Sequence, residues 1–558
     1  MKHRILVITL LFSTLAQAKM YQWVDDKGRA HFSDKPPAVA IEKPSISKSA
    51  ENVKEINKYS SHSSSNSASK SLVIDLESNS LLVLQVRKLL KKKKYQELNN
   101  LLDQAQVAAL DDVGAEENLL QLYQAFSLTS EAFEQQLNEW VNTYPASYQP
   151  FLARARYFQV KGWRARGTKW GSETSDKQKS KMKIYISKAQ ADIKKALNRN
   201  PSSSMAYVLL IQGSYASSDF NELDNIFKKG IKISPASYEL RQSYLRRQRP
   251  RWGGSLERML EVIVESEKLI DQNPRLINLA SWVLEDIALS QYGSGSYTLA
   301  KETLSKGLLK VKNSAIQHGY ADVKEDHFIS YRQGKIEMRL ENYNAALNFF
   351  ALAIKGNENV ADYYYERSRV YEELNDYAKS TRDLVTALAI DPLDEHYITF
   401  KKRLINNLNY ASYEAKSNVK LTKALQLVNF SLQLDPNHIK SLRRRSYIYI
   451  DKRQISQAKA DMDKAIELDL SDYDSYKGMD DVLLMERRFE EVATYWGQYI
   501  ALKPNDSRAF FERAGTYYHM KRIDLAVKDA RRAVTLGHPN AAESLDYYER
   551  LLIGGARR

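Results

Sequence analysis

The 558-residue chain contains no cysteine. It therefore has no disulfide bond, thiol nucleophile, thiolate metal ligand or lipid-attachment cysteine, and its stability has to come from packing alone. Long apolar runs are also missing. Beyond the N-terminus, no stretch approaches the roughly 18 uninterrupted apolar residues that a membrane span needs. We therefore expect no transmembrane segment once a signal peptide has been removed.

The motifs of common catalytic sites are absent as well. The nine histidines form no H-E-x-x-H pair, and the sequence has no G-x-S-x-G elbow and no G-x-x-x-x-G-K-[ST] phosphate loop. We predict that the protein is not an enzyme and holds no metal and no cofactor. A hydrolase with a concealed carboxylate pair is the alternative, but no paired glutamates stand out.

A secretory signal peptide is predicted for residues 1–18. Lys2 and Arg4 precede the apolar stretch Ile5–Leu15, and Ala16–Ala18 forms a small-x-small cleavage site. An N-terminal core helix is the alternative interpretation. The signal predicts a soluble mature protein in the periplasm of a Gram-negative bacterium.

Residues 19–37 predict a small β-hairpin. Two runs rich in aromatic and β-branched residues flank the turn Asp25–Gly28, and Tyr21 and Trp23 fall on one face at a period of two. Because an isolated hairpin is marginally stable, this face should pack on the chain or on a partner. Residues 38–71 are rich in serine and lysine and are expected to be a disordered, flexible linker.

The hairpin carries a recognisable motif. The pattern Y-x-W-x-D-x-x-G, followed by F-S-D-x-P-P, resembles the domain of unknown function DUF4124. That module follows the signal peptide of proteobacterial envelope proteins. The resemblance implies an envelope location and no particular chemistry.

From residue 80 onward, apolar residues recur at helical spacing without strand-like alternation. Helix ends repeat at Pro436, Leu470, Pro504 and His538, each 34 residues after the last. This period and two columns of alanines resemble the tetratricopeptide repeat. The resemblance implies an all-α solenoid of helical hairpins, well matched over residues 325–540; an unrelated helical bundle is the alternative.

We assign residues 321–558 to the tetratricopeptide-repeat domain and residues 72–320 to a helical domain with degenerate repeats. In the repeat family, set positions of each first helix line the concave groove. Carried onto this sequence, the resemblance implies an aromatic and basic lining, unless the register is shifted and these are ordinary surface residues. The candidate groove residues are Tyr331, Lys335, Tyr365, Arg369, Arg443, Tyr447, Lys477, Arg508, Phe511 and Tyr518.

Two motifs stand out in the less regular region. W-R-A-R-G begins at Trp163, and P-R-W-G-G-S spans residues 250–255. They resemble the domain of unknown function DUF4034, which has no assigned reaction. In the second motif, Gly253 and Gly254 before an N-cap at Ser255 suggest free backbone N–H groups. With Arg251 and Trp252 beside them, these glycines form a candidate anion-binding loop; the alternative is a purely structural corner.

The net charge of +15 favours anionic partners. Outside the cytoplasm, envelope polymers are expected before nucleic acid, although a charge run is also compatible with a solvated helix face. The leading hypothesis is a periplasmic scaffold that binds an envelope protein or peptide in its groove. The alternative is a binder of an anionic wall glycan or lipopolysaccharide, acting through the hairpin and the basic patches.

Overall fold

The computed structural model describes residues 21–24, 30–33, 81–167, 173–214, 219–320 and 326–556. Within them it contains 25 α-helices and two short strands. Strand β1 (Tyr21–Val24) pairs antiparallel with β2 (Ala30–Ser33). The side chains of this pair, the signal peptide and the linker lie outside the described residues, so the hairpin module stays a prediction. No helix in the described part combines the length and apolarity needed to cross a membrane.

The helices are numbered in chain order. They are α1 Leu82–Lys91, α2 Tyr95–Asp111, α3 Glu116–Gln124, α4 Glu131–Thr143, α5 Gln149–Arg166, α6 Asp176–Leu197, α7 Ser204–Gly213, α8 Phe220–Ile233, α9 Tyr238–Arg247, α10 Leu256–Glu267, α11 Leu279–Gly293, α12 Tyr297–Gln317, α13 His327–Arg339, α14 Tyr343–Gly356, α15 Ala361–Glu373, α16 Tyr377–Ile390, α17 Glu395–Ser417, α18 Leu421–Leu434, α19 Ile439–Asp451, α20 Ile455–Leu468, α21 Tyr473–Leu484, α22 Phe489–Leu502, α23 Ser507–His519, α24 Ile523–Thr535 and α25 Ala541–Ala556.

Helices α13 to α24 form six successive hairpins. Their first helices, followed by α25, begin at residues 327, 361, 395, 439, 473, 507 and 541, so the successive spacings are 34, 34, 44, 34, 34 and 34 residues. The predicted 34-residue solenoid is confirmed. The 44-residue spacing arises in α17, which has 23 residues where α15 and α19 have 13.

Small buried side chains and arginine–aspartate pairs recur where the two helices of a hairpin meet. The predicted alanine columns are completely buried where the two helices meet, which allows a close approach of the backbones. Three hairpins also carry a two-pronged arginine–aspartate pair, whose residues are 16 positions apart in the sequence. The alanines are Ala346, Ala353, Ala387, Ala424, Ala458, Ala465, Ala526 and Ala533, and the pairs are Arg367–Asp383, Arg445–Asp461 and Arg513–Asp529.

The less regular helices close into a ring with the first two hairpins. Arg87 on α1 donates to the carbonyl oxygen of Ile390 at 2.6 Å, and the Val83 N–H donates to Asn359 Oδ1 at 3.1 Å. Residues 75–558 form one compact unit. The boundary expected after residue 320 therefore separates irregular from regular hairpins within that unit.

The turn inside the third hairpin is strained. Val419 has φ +58° and is 79% exposed, while the equivalent turn residue of the preceding hairpin is Asn375, with φ +57°. A left-handed conformation costs a β-branched residue about 1–2 kcal/mol, and asparagine tolerates it better. We expect Val419→Asn to raise the free energy of unfolding by about 1 kcal/mol, measured by urea denaturation. The reciprocal change Asn375→Val should lower it, and a neutral result for both would contradict the assignment of strain.

Candidate functional site

The candidate groove residues lie on the first helices α13, α15, α19, α21 and α23, while α17 carries none of them. Several of them reach the first helix of the next hairpin. The Lys335 ammonium contacts Glu366 at 3.3 Å, and the Tyr447 hydroxyl donates to Asp481 at 3.1 Å. Burial, with Asp481 beside it, raises the pKa of Tyr447 to about 12, so this hydroxyl remains a neutral donor at physiological pH. Contacts of this kind connect α13 with α15 and α19 with α21.

The five predicted cations of this face are all paired with carboxylates. The sequence analysis did not include these acidic partners, which lie on the same or the neighbouring hairpin. The face is therefore a row of ion pairs and aromatic rings, and it is less basic than its lysines and arginines alone suggest. The pairs are Lys335–Glu366 (3.3 Å), Arg369–Glu366 (2.7 Å), Arg443–Asp472 (3.0 Å), Lys477–Glu512 (3.1 Å) and Arg508–Asp506 (2.7 Å).

The predicted aromatic residues differ in how much they can offer a partner. Tyr331 is buried and packs against Tyr363, with ring centres 5.0 Å apart, so it offers little surface to a partner. The other predicted rings remain partly accessible, and three of them pack against rings inside the protein. These contacts are Tyr365 with Tyr397 (4.8 Å), Phe511 with His538 (4.1 Å) and Tyr518 with Tyr548 (5.3 Å).

The glycine loop does not provide the free N–H groups that the sequence analysis predicted. The N–H groups of Trp252 and Gly254 both donate to the carbonyl oxygen of Arg249, at 2.9 and 3.3 Å, and the Gly253 N–H donates to Pro250 at 2.9 Å. This part of the anion-loop prediction is wrong, because a 3₁₀ turn at Pro250–Trp252 uses these donors itself.

The rest of the loop is a corner between α9 and α10. Ser255 is the N-cap of α10, as predicted, and its Oγ accepts from the Arg258 N–H at 3.3 Å. The Arg251 side chain lies outside the described residues. Whether the loop contributes to a ligand site therefore depends on Trp252.

The two unusual sequence motifs meet in space. The rings of Trp163 and Trp252 pack edge to face, with centres 6.1 Å apart, and Arg247 donates to the Trp252 carbonyl oxygen at 2.8 Å. Both tryptophans line a cavity of about 570 Å³ inside the ring of helices. A cavity of this size matches the usual range of small-molecule sites.

Arginines dominate the charged lining of this central cavity. Two of them, Arg249 and Arg332, are paired with the fully buried Glu285, the second at 3.0 Å. Burial lowers the pKa of Arg87 to about 10, although Asp391 opposes the shift. The charged residues of the lining are Arg87, Arg156, Arg246, Arg249, Arg332, Glu239, Asp362 and Asp391.

Sequence reasoning missed the cavity, because its walls come from helices up to about three hundred residues apart. One signal was available. Arg154 and Arg156 interrupt the otherwise apolar F-L-A-R-A-R-Y-F run of α5, where charged residues need a special environment. The structure gives Arg154 a carboxylate partner, Asp192, at 2.8 Å and points Arg156 at the cavity.

Three family models match parts of the chain. The model of the Domain of unknown function (DUF4124) matches residues 7–64, and that of the Domain of unknown function (DUF4034) matches residues 82–228. A Tetratricopeptide repeat model matches residues 361–392 and 440–472. The three predicted resemblances are confirmed. The Pro250–Ser255 loop lies beyond the DUF4034 match, and the hairpin with the lengthened α17 lies between the two repeat matches.

Solved structures that are similar to the chain include tetratricopeptide-repeat proteins. YrrB, described as having an unusual peptide-binding site, is 16% identical with a TM-score of 0.25, covering 35% of this chain and 96% of its own. The repeat domain of P58(IPK) is 16% identical with a TM-score of 0.22, covering 84% and 99%. PilF of Pseudomonas aeruginosa is 15% identical with a TM-score of 0.21, covering 40% and 96%. No curated protein matches the chain.

Proposed function

We propose that the protein is a non-enzymatic periplasmic scaffold that binds a protein or peptide on the face formed by its first helices. The observation that carries the proposal is the set of partly exposed rings and ion pairs on α15, α19, α21 and α23. Tyrosine and arginine are the side chains that most often anchor protein interfaces.

The pairing of the cations affects which partner suits the face. An ion-paired surface repels neither sign of charge strongly. Its charged side chains can also leave their partners within the protein and pair with charged groups of a ligand. Lys477, for example, lies within 3.5 Å of Asp480, Asp481 and Glu512. We therefore expect a partner that presents both aromatic and charged side chains, and not a uniformly acidic one.

Photo-crosslinking in living cells tests the proposal. A photoreactive phenylalanine would replace Tyr447 or Phe511, with Trp23 as a second position and the exposed Arg382 of α16 as a control on a second helix. A discrete protein adduct from the two first-helix positions, absent from the control, would support the scaffold. Adducts to glycan or lipid from Trp23 alone would reject it in favour of polymer binding.

Exposed lysines favour the second candidate, a binder of an anionic envelope polymer. Lys91–Lys94 and the alternating lysines at the start of α6 are all exposed to solvent. Binding that rests on many such contacts weakens steeply with salt, because each exposed charge is screened. A groove built on rings and internal ion pairs should weaken much less, so the salt dependence of binding separates the two candidates.

A further inference from the structure

Within the described part of the chain, Arg156 and Arg246 of the central cavity form no ion pair with a carboxylate. Arg156 donates only to the neutral Ser127 Oγ at 3.3 Å and Gln212 Oε1 at 3.4 Å. The Arg246 guanidinium lies over the ring of Phe328, 4.9 Å from its centre. Across the described ranges, no ion pair joins either arginine to an acidic group. Their positive charges therefore remain available inside the protein.

The two charges also oppose each other. Burial, and after it the charge of Arg246, lowers the pKa of Arg156 to about 10, so the Arg156 guanidinium is still protonated at neutral pH. An unpaired charge away from bulk water is costly, and proteins seldom retain one without a use. An empty cavity therefore leaves an unfavourable interaction that a bound anion would relieve.

The nearest acidic groups of the lining do not remove this excess. Asp391 is paired with Arg164, and Glu239 is paired with Arg275 at 3.0 Å. Asp362 is exposed and accepts a hydrogen bond from the Tyr397 hydroxyl at 2.5 Å. Among the described acidic groups of the lining, none forms an ion pair with Arg156 or Arg246.

We propose that Arg156 and Arg246 bind the phosphate group of a small phosphorylated molecule in this cavity, with the Trp163–Trp252 pair contacting its organic part. A phosphate monoester carries about −1.5 to −2 charges at pH 7, which matches two guanidinium groups better than a single carboxylate does. Indole rings offer flat surfaces to a sugar or an aromatic ring. This site adjoins the first-hairpin end of the proposed peptide-binding face, because Tyr331 and Tyr365 pack on Tyr363 and Tyr397 of the cavity lining. Its ligand is a different one, so the proposal does not depend on a peptide partner.

The test measures binding to the purified mature protein by calorimetry in 0.15 M salt. The probes are phenyl phosphate, inorganic phosphate and benzoate. Inorganic phosphate lacks the aromatic ring, and benzoate carries a carboxylate in place of the phosphate group. We expect phenyl phosphate to bind more tightly than inorganic phosphate, and benzoate to bind most weakly. Equal binding of benzoate and phenyl phosphate, or binding of none of the three, would overturn the proposal.

Variants assign the roles of the residues. We expect Arg156→Gln and Arg246→Gln each to weaken phenyl phosphate binding about tenfold, and the double variant about a hundredfold. Trp252→Ala should abolish the preference for phenyl phosphate over inorganic phosphate. Binding that persists unchanged in the double variant, with circular dichroism confirming a folded protein, would also overturn the proposal.

The ligand-free protein provides an independent readout. Because Arg156 has no acidic partner, Arg156→Gln should raise the unfolding temperature in phosphate-free buffer. The matched control is Arg154→Gln, two residues away on α5, which leaves the buried Asp192 unpaired. The control should lower the unfolding temperature and keep phenyl phosphate binding. If Arg156→Gln lowers the unfolding temperature as much as Arg154→Gln does, then Arg156 only stabilises the ring of helices. That result would refute the site.

Discussion

Glu285→Gln is expected to lower the free energy of unfolding by about 3–5 kcal/mol. The Glu285 side chain is fully buried on α11 and pairs with two arginines, Arg249 and Arg332. Arg249 is itself buried, and it lies over the ring of Trp282, 5.1 Å from its centre. Glutamine keeps the shape of the side chain and removes its charge, so Arg332 would lose its carboxylate and Arg249 would keep Asp286, at 3.7 Å.

Urea and thermal denaturation at pH 7 measure this effect. The control is Glu549→Gln, because the Arg531–Glu549 pair is largely exposed and such pairs contribute about 1 kcal/mol or less. A loss below 1 kcal/mol for Glu285→Gln would contradict the role of Glu285 as the counter-ion of the cavity wall. The result is informative beside Arg156→Gln, since the two changes remove opposite charges and should act in opposite directions.

The regular half of the fold could be predicted from sequence, because a period is a local property. Most hairpins bury small residues in the same columns, and Ala458 and Ala465 occupy the predicted positions in the structure; in the α21–α22 hairpin, Val492 and Tyr499 take those positions. The ten residues by which one spacing exceeds 34 lie in the lengthened helix α17.

The closure of the ring could not be predicted in the same way. It depends on the accumulated rotation of many hairpins, which the spacing of repeats does not reveal. The contact between Arg87 and Ile390 joins residues 303 positions apart. The cavity could not be predicted from sequence for the same reason, because each of its walls carries only one or two of the charged residues.

The glycine loop shows how a correct motif can carry a wrong mechanism. The sequence indicated a tight turn and an N-cap, and both are present. It could not show that the donors of Trp252, Gly253 and Gly254 would be used within the turn itself. What the motif contributes to the cavity is the Trp252 ring, placed by that turn against Trp163.

Gly254→Ala is expected to destabilise the protein by about 3 kcal/mol, at the upper end of the cost of overpacking. A Cβ at this position would overlap the backbone of Gln248, including its carbonyl group. Backbone atoms cannot retreat as a flexible side chain can, so the corner between α9 and α10 would have to open. Opening should also separate Trp252 from Trp163, and the tryptophan fluorescence should change.

Two other glycines make the comparison specific. Gly253 has φ +80° but has room for a methyl group, since the nearest atoms are on the Phe220 ring at 3.8 Å. Gly253→Ala should therefore cost only the left-handed backbone, about 1–2 kcal/mol. At Gly293, the last residue of α11, a Cβ would meet nothing within 4 Å, and alanine there should be neutral or mildly stabilising. Urea denaturation measures the loss in the free energy of unfolding for each variant. If this loss is no larger for Gly254→Ala than for Gly253→Ala, the close approach to Gln248 does not fix the corner. The position of Trp252 would then need another explanation.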